Sequence, residues 1–286
     1  MSTMNLETVD LTRSDGVAWV TMNRPEALNA WTRQLGRDMI AALDEVAAAP
    51  ELRAIVITGA GRAFSSGADL KAGGEMGGEP EDADAARSGG AGSRAGGRPV
   101  GVDVLTPLRE VYNPLILRVR TIPKPVIAAV NGPAVGIGCS LALAADLVLA
   151  SRSAYFLLAF VNIGLGLDGG VSQSLVARVG HARAFEMAYL GQRIGAEQAE
   201  RWNLINEVLA DDALNARAGE LAARLAAGPP GSFATIKKTI NDRAYAGFRE
   251  LLELEAVEQQ KRAESRDFVE GVLAFMQKRQ PEFRGE

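Results

Sequence analysis

Two short, nearly unbroken apolar runs, each released through glycine into a loop or helix start, constrain the fold of this chain most tightly. Residues 53–58 read RAIVIT and pass through Gly59-Ala60-Gly61 into FSSGADL at 64–70. Val126–Val130 reads VIAAV and passes into NGPAVGIGCSL at 131–141. Strands that are apolar on both faces belong to a sheet covered on both sides, the arrangement of parallel α/β folds. VAWVTM at 17–22 and DLVLA at 146–150 extend the set. Leu35, Met39, Leu43 and Val46 recur at helical spacing after Thr32, a suitable N-cap, and predict a helix there.

From about residue 170 onward the pattern reads as all helical, with helices predicted at 182–190, 196–202, 212–227, 232–245, 248–261 and 266–279. This divides the chain into an α/β core at 1–205 and a helical C-terminal region at 206–286. Residues 73–101 are rich in Gly, Ala, Ser, Arg and acidic residues and almost free of large apolar side chains. Such a composition cannot offset its ordering entropy by burial, so a flexible insertion is predicted. Strand patterns continue on both sides, which places the insertion inside the core and not between domains.

Composition removes several function classes. A net charge of −4 leaves no basic footprint for nucleic acid. No apolar run reaches the roughly 18 residues of a membrane span, and MSTMNLETVD has neither the basic start nor the apolar stretch of a signal peptide. A cytoplasmic location is therefore expected. One cysteine, Cys139, and one histidine, His181, leave too few ligands for a structural zinc site, so no metal is expected.

The glycine segments invite nucleotide-binding readings, which fail on position. Gly59-Ala60-Gly61 follows a strand, but Phe64 stands where the third glycine of the dinucleotide fingerprint belongs. Gly164-Leu165-Gly166-Leu167-Asp168-Gly169 fits that pattern literally, yet it comes after several strands and lacks the acidic residue at a strand end about 20 positions on. Residues 132–138 lack the Lys-Ser/Thr of a phosphate loop. What the two strand–glycine segments share is the ability to project backbone N–H groups into a cleft, the second at a helix N-terminus that favours developing negative charge. Two amides aimed at one point make an oxyanion hole, although spacing alone is equally compatible with two unrelated tight turns.

VAWVTMNRPEALNAW, FSSGADLK, IPKPVIAAVNGPAVGIGCSLALAADLVLAS, VGHARAFEMAYLGQRIGAEQAERWNLINEVL and DFVEGVLAFMQKRQPEF resemble, in order, the characteristic segments of the crotonase (enoyl-CoA hydratase/isomerase) superfamily. The resemblance spans nearly the whole chain except the insertion. It implies a crotonase-like α/β fold of repeated ββα units, a C-terminal helical region used for trimerisation, and homotrimers or hexamers. It implies an acyl-CoA thioester as substrate, with coenzyme A arriving as part of it and no separate cofactor.

Carried over by motif, the resemblance implies oxyanion-hole amides at Ala68 and Ile137, the second with isoleucine where many relatives have glycine. Ala27, Leu28, Ser66, Gly67, Asp69, Leu70 and Gly136 fall on segments that line the CoA or substrate path. Phe275 and Lys278 match a pair that reaches the CoA from a neighbouring subunit. Ser66 could equally be a turn hydroxyl bonded to nearby backbone. Leu108, Val111 and Tyr112, after the insertion, are expected to shape the acyl pocket.

The reaction is where this sequence departs from the hydratase pattern. Hydration in the family uses two glutamates, and here Ser140 and Phe160 occupy those positions. Neither can act as a general base. Ser140 could hydrogen-bond substrate, but it has no basic partner nearby to make it a nucleophile. AFVNIGLGLDGG instead resembles a branch in which an aspartate, here Asp168, is the acid/base of enoyl-CoA and epoxidised aryl-CoA isomerases. Apolar neighbours such as Phe160, Ile163 and Leu167 would raise its pKa towards that task. Asp168 would also suit an N-cap before GGVSQSLVARV. The expected activity is therefore double-bond migration by one aspartate, with a rearranged hydratase and a non-catalytic acyl-CoA binder as alternatives.

Overall fold

A computed structural model describes residues 6–69 and 102–286. Leu70 and the predicted insertion at 73–101 lie outside the described residues. The main sheet has six strands in the order β1-β2-β3-β4-β6-β9: β1 Val9–Ser14, β2 Val17–Met22, β3 Ala54–Gly59, β4 Val126–Val130, β6 Leu147–Ser151 and β9 Glu207–Leu209. Only β1 is antiparallel to its neighbour. A second sheet joins β5 (Ala134–Val135), β7 (Tyr155–Leu157) and β8 (Ile194–Gly195).

The continuous apolar strands have the predicted cause. Alternate residues of β3 face opposite ways: Ile55 and Ile57 enter the larger core, while Ala54 and Val56 enter a smaller one. Helices α1 (Arg33–Ala48), α2 (Leu105–Pro107), α3 (Asn113–Thr121), α4 (Ile137–Ala144) and α5 (Val171–Leu190) build the larger core. The remaining helices are α6 (Ala196–Arg201), α7 (Leu214–Ala226), α8 (Pro230–Ala244), α9 (Phe248–Ala263) and α10 (Arg266–Gln277). Leu214, Ala218, Ala222 and Ala226 of α7 cover the other face of the sheet. As expected, Thr32 caps α1, its Oγ1 accepting from the Leu35 N–H at 3.1 Å.

The region after residue 170 is not all helical, contrary to the periodicity. β8 and β9 are strands of two and three residues, too short to show alternation. β9 pairs with β6 and α7 covers the sheet, so the segment just past residue 205 is tied to the α/β layer. β1 also went unread in the sequence, although Asp15 and Gly16 at positive φ (50° and 79°) form the kind of turn that closes a tight hairpin. α5 begins at Val171, earlier than expected, and Gly180 (φ 71°, ψ 174°) breaks it just before His181. Among the described residues, no helix is long and apolar enough to cross a membrane.

Candidate active site

The loop after β3 and the loop after β4 are stitched together by backbone. The Ser65 N–H donates to the Pro133 carbonyl and the Val135 N–H to the Ser65 carbonyl, both at 2.9 Å. A Cβ on Gly138 would sit 2.6 Å from Ser65 Cβ, so only glycine lets the first turn of α4 approach this closely. Ala68 pairs with Trp31 in an isolated parallel bridge. That bridge uses the Gly67 carbonyl, accepting from Trp31 N–H at 2.8 Å, and the Asp69 N–H, donating to the Trp31 carbonyl at 3.1 Å. In an extended segment alternate peptide groups point opposite ways, so the Ala68 N–H faces away from Trp31.

Ile137 is the first residue of α4, and its N-cap, Gly136 (φ 52°), supplies no side-chain cap. The first N–H groups of a helix have no intrahelical acceptor and carry its positive dipole end. A Cβ on Gly136 would sit 3.8 Å from the Phe160 ring and 4.0 Å from Gly67 Cα, so the two turns carrying Ala68 and Ile137 meet. The far end of α4 is satisfied by two arginines, Arg120 buried and Arg178 half-buried. Arg120 donates to the carbonyls of Ala144 (2.7 Å) and Ala145, and Arg178 to those of Ala145 (2.7 Å) and Leu143. All eight residues of α4 are buried.

Asp168 is held against this helix. The Ser140 hydroxyl, one turn after Ile137, donates to the Asp168 backbone carbonyl at 2.9 Å. Gly169 (φ +65°) follows, and a Cβ there would come within 2.8 Å of Ile137 Cδ1 and 2.9 Å of Ser140 Cβ. The extra bulk of Ile137 therefore packs on the Asp168 loop. Gly169→Ala is expected to destabilise the fold by about 1–3 kcal/mol through strain and overpacking together. Thermal unfolding checks it, and an unchanged Tm would contradict the tight approach.

The Asp168 carboxylate is buried, with 9% of the residue exposed. Its Oδ2 accepts from Gln259 Nε2 at 3.1 Å, while its Oδ1 has no hydrogen-bond partner among the described residues. Burial pushes the carboxyl up from 3.8 to about 7; the Gln259 hydrogen bond opposes the rise and the Glu255 charge adds to it. An unsatisfied buried carboxylate oxygen is costly and calls for a reason. Asp168 does not cap α5, as the sequence allowed: Gly170 is the N-cap, and Glu255 from α9 accepts from the N–H groups of Gly170 (2.6 Å) and Ser172 (3.2 Å).

The other predicted residues fall at several places. Leu28 (φ 54°) accepts from the Ser66 N–H at 3.0 Å, and the Ser66 hydroxyl lies 3.4 Å from the Ala27 carbonyl, so the 27–28 turn and the FSSGAD turn are one unit. Asp69 pairs with Arg24 at 3.3 Å, an anchoring contact. Ser140 lies beside the Asp168 backbone, and the Phe160 ring faces Gly136. Phe275 is 62% exposed and Lys278 (φ 55°) closes α10. Leu108, Val111 and Tyr112 are buried, with Tyr112 edge-on to Trp31 at 5.2 Å.

Sequence reasoning missed Asn29, Glu255 and Gln259. Asn29 is fully buried and donates to the Ala60 and Ala63 carbonyls at 2.9 and 2.8 Å, fastening the 24–30 loop to the exit of β3. Glu255 and Gln259 share the buried stripe of α9 with Phe248, Leu252, Ala256 and Ala263. Two polar residues four apart on an apolar stripe was the available signal.

The sequence matches the Enoyl-CoA hydratase/isomerase family over residues 12–90 and 103–286. The chain belongs to that family. This enoyl-CoA hydratase/isomerase family member is 40% identical over 282 residues to a "Probable enoyl-CoA hydratase" of Rhodobacter capsulatus, covering 99% of this chain and all of that protein. It is 37% identical over 271 residues to the "1,2-epoxyphenylacetyl-CoA isomerase" of Escherichia coli, covering 95% and 96% of the two chains. A crystal structure of an enoyl-CoA hydratase from Mycobacterium avium subsp. paratuberculosis superposes with a TM-score of 0.82 at 36% identity, over 98% of this chain and all of that one. The mixed α/β architecture with a helical C-terminal region is the crotonase fold of that family.

Proposed function

We propose that this protein shifts a double bond in an acyl-CoA thioester, with Asp168 as the single acid/base. The observation that carries the reading is the buried Asp168 carboxyl, held near neutral pKa with one oxygen unpartnered among the described residues, beside the first turn of α4. The thioester carbonyl lies between the Ala68 and Ile137 N–H groups, which stabilise the oxygen as it becomes negative. Ionised Asp168 removes a proton from Cα of a 3-enoyl thioester, and the electron pair passes into a dienolate. The resulting carboxylic acid returns the proton to Cγ, giving the 2-enoyl thioester and restoring the carboxylate. No water is consumed, no metal is required, and coenzyme A enters and leaves with the acyl group.

Hydration is the second reading, favoured by the name of the Rhodobacter capsulatus relative. Against it stand Ser140, whose hydroxyl is committed to the Asp168 carbonyl, and Phe160, an aromatic ring. Two carboxylates to hold and activate one water are missing from those positions. A non-catalytic acyl-CoA-binding role is excluded if Asp168→Asn lowers turnover while CoA affinity persists.

Ala27, Leu28, Ser66, Gly67, Asp69, Leu70 and Gly136 border the CoA path in this reading. The 206–286 region makes a trimer or hexamer in the cytoplasm, bringing Phe275 and Lys278 to a neighbour's CoA. Val269, Leu273, Phe275 and Met276 on α10 are exposed apolar side chains available for such contacts. Size-exclusion chromatography with light scattering is expected to give three or six chains, and a monomer would contradict it. Monitoring 3-enoyl-CoA turnover by the absorbance of the conjugated product tests the activity itself.

A further inference from the structure

Gln259 touches the Asp168 carboxylate from a helix that the functional reading so far leaves unused. It is 1% exposed on α9 and makes two hydrogen bonds to the GLGLDGG loop. Its Oε1 accepts from the Gly166 N–H at 2.8 Å, and its Nε2 donates to Asp168 Oδ2 at 3.1 Å. The orientation of the amide follows from chemistry. A backbone N–H can only donate, so the oxygen must face Gly166 and the NH₂ must face Asp168. Oδ2 thus faces a permanent donor, which has no lone pair to receive a proton placed on that oxygen. Oδ1, buried and without a partner among the described residues, is left as the oxygen that carries the proton without weakening the Gln259 hydrogen bond.

We propose that Gln259 is a positioning residue for proton transfer: it assigns the proton to Asp168 Oδ1 and sustains the ionised form of the base. The proposal rests on the reading of Asp168 as acid/base. Glu255, one helical turn before Gln259 on the same face of α9, steadies the other side of the loop by accepting from Gly170 N–H, Ser172 N–H and the Ser172 hydroxyl (2.5 Å). α9 therefore grips the Asp168 loop at four alternate residues, Gly166, Asp168, Gly170 and Ser172.

Among the described residues, the charged groups around Asp168 are few. Glu255 on α9 opposes its ionisation. α4 presents Ser140 and its N-terminal amides. α10 approaches the loop near Gly164 through the Asp267 backbone, and the Asp267 carboxylate turns away to accept from the Arg284 and Gly285 N–H groups at 2.7 and 2.8 Å. With so little compensating charge, loss of the Gln259 donor shifts the balance towards the protonated acid.

The test is the pH profile of kcat for double-bond migration, measured on the full chain as wild type, Gln259→Met, Gln259→Glu and Asp168→Asn. Gln259→Met keeps the volume and removes the donor. Gln259→Glu keeps the acceptor for Gly166 and puts a second carboxyl against Asp168, so the two titrate as a pair. Both variants are expected to move the acidic limb to higher pH, by about one unit for methionine and further for glutamate. On the acidic side this reads as a roughly tenfold loss that recovers at high pH. A limb that stays in place in both variants, with only Tm changed, overturns the proposal and leaves Gln259 a packing residue. An Asp168→Asn protein that keeps wild-type turnover and the same limb instead overturns the reading of Asp168 on which it rests.

Discussion

Asp168→Asn is expected to lower kcat for double-bond migration by roughly 10²–10⁴-fold, the range in which positioned general acid–base groups act. The amide keeps the size of the carboxyl and can still accept from Gln259, so substrate affinity should change little. The same substitution is expected to stabilise the fold, and the pH dependence fixes its cause. A carboxyl whose folded value is raised from 3.8 to about 7 binds its proton more tightly in the native state than in the unfolded chain. Its stabilising contribution is complete below the unfolded value and is lost as pH rises through 7. Asparagine does not titrate, so its advantage appears between those limits and levels off above them. The shift alone corresponds to at most about 4 kcal/mol. An unpaired amide donor facing the site of Oδ1 reduces this to about 1–3 kcal/mol. Thermal unfolding at pH 4 and pH 8 measures it: a Tm for the variant no higher than wild type at the lower pH, where only the unpaired donor acts, and a higher Tm at the upper one. Activity lost while stability is gained is the expected signature of a site whose strain serves function.

Ile137→Pro is expected to cost 10²–10³-fold in kcat/KM while leaving the fold standing. Replacing the residue by proline deletes one of the two proposed oxyanion donors, an effect of about 2.7–4 kcal/mol on the transition state. Proline is tolerated at the first position of a helix because that N–H has no intrahelical acceptor. Ile137 holds that position in α4, after Gly136, which carries no Cβ to collide with the proline ring. A circular dichroism spectrum like that of wild type and a Tm lowered only as far as the lost Ile137 side-chain packing requires, with turnover nearly lost, would support the role of the amide. Turnover near wild type would remove Ile137 from the mechanism. The comparison is useful because side-chain substitutions at Ile137 and Ala68 leave the backbone N–H in place.

The residues of the site that lie in local sequence patterns were legible beforehand. The apolar runs of β3 and β4, the glycines after them and Asp168 in AFVNIGLGLDGG all sit in continuous segments, and the structure brings these segments together. The Gly138–Ser65 approach and the Gly169–Ile137 contact explain why glycine stands at those two positions. What escaped were contacts between distant segments. Gln259 lies 91 residues from Asp168, and Asn29 lies 34 from Ala63. Polar residues on the buried stripe of α9 break amphipathic periodicity, and that interruption was the trace of their contacts with the Asp168 loop. β8 and β9 escaped for a different reason: strands of two or three residues are defined by their partners, not by their own pattern.

The reaction itself separates most directly in labelled water. Incubating the wild-type protein with a 3-enoyl-CoA in water enriched in heavy oxygen, followed by mass spectrometry of the thioester, counts the oxygen atoms added. The account predicts a conjugated 2-enoyl-CoA of unchanged composition with no heavy oxygen, formed by wild type and not by Asp168→Asn. A hydroxyacyl-CoA heavier by one labelled water as the main product would contradict it and return the chain to hydration.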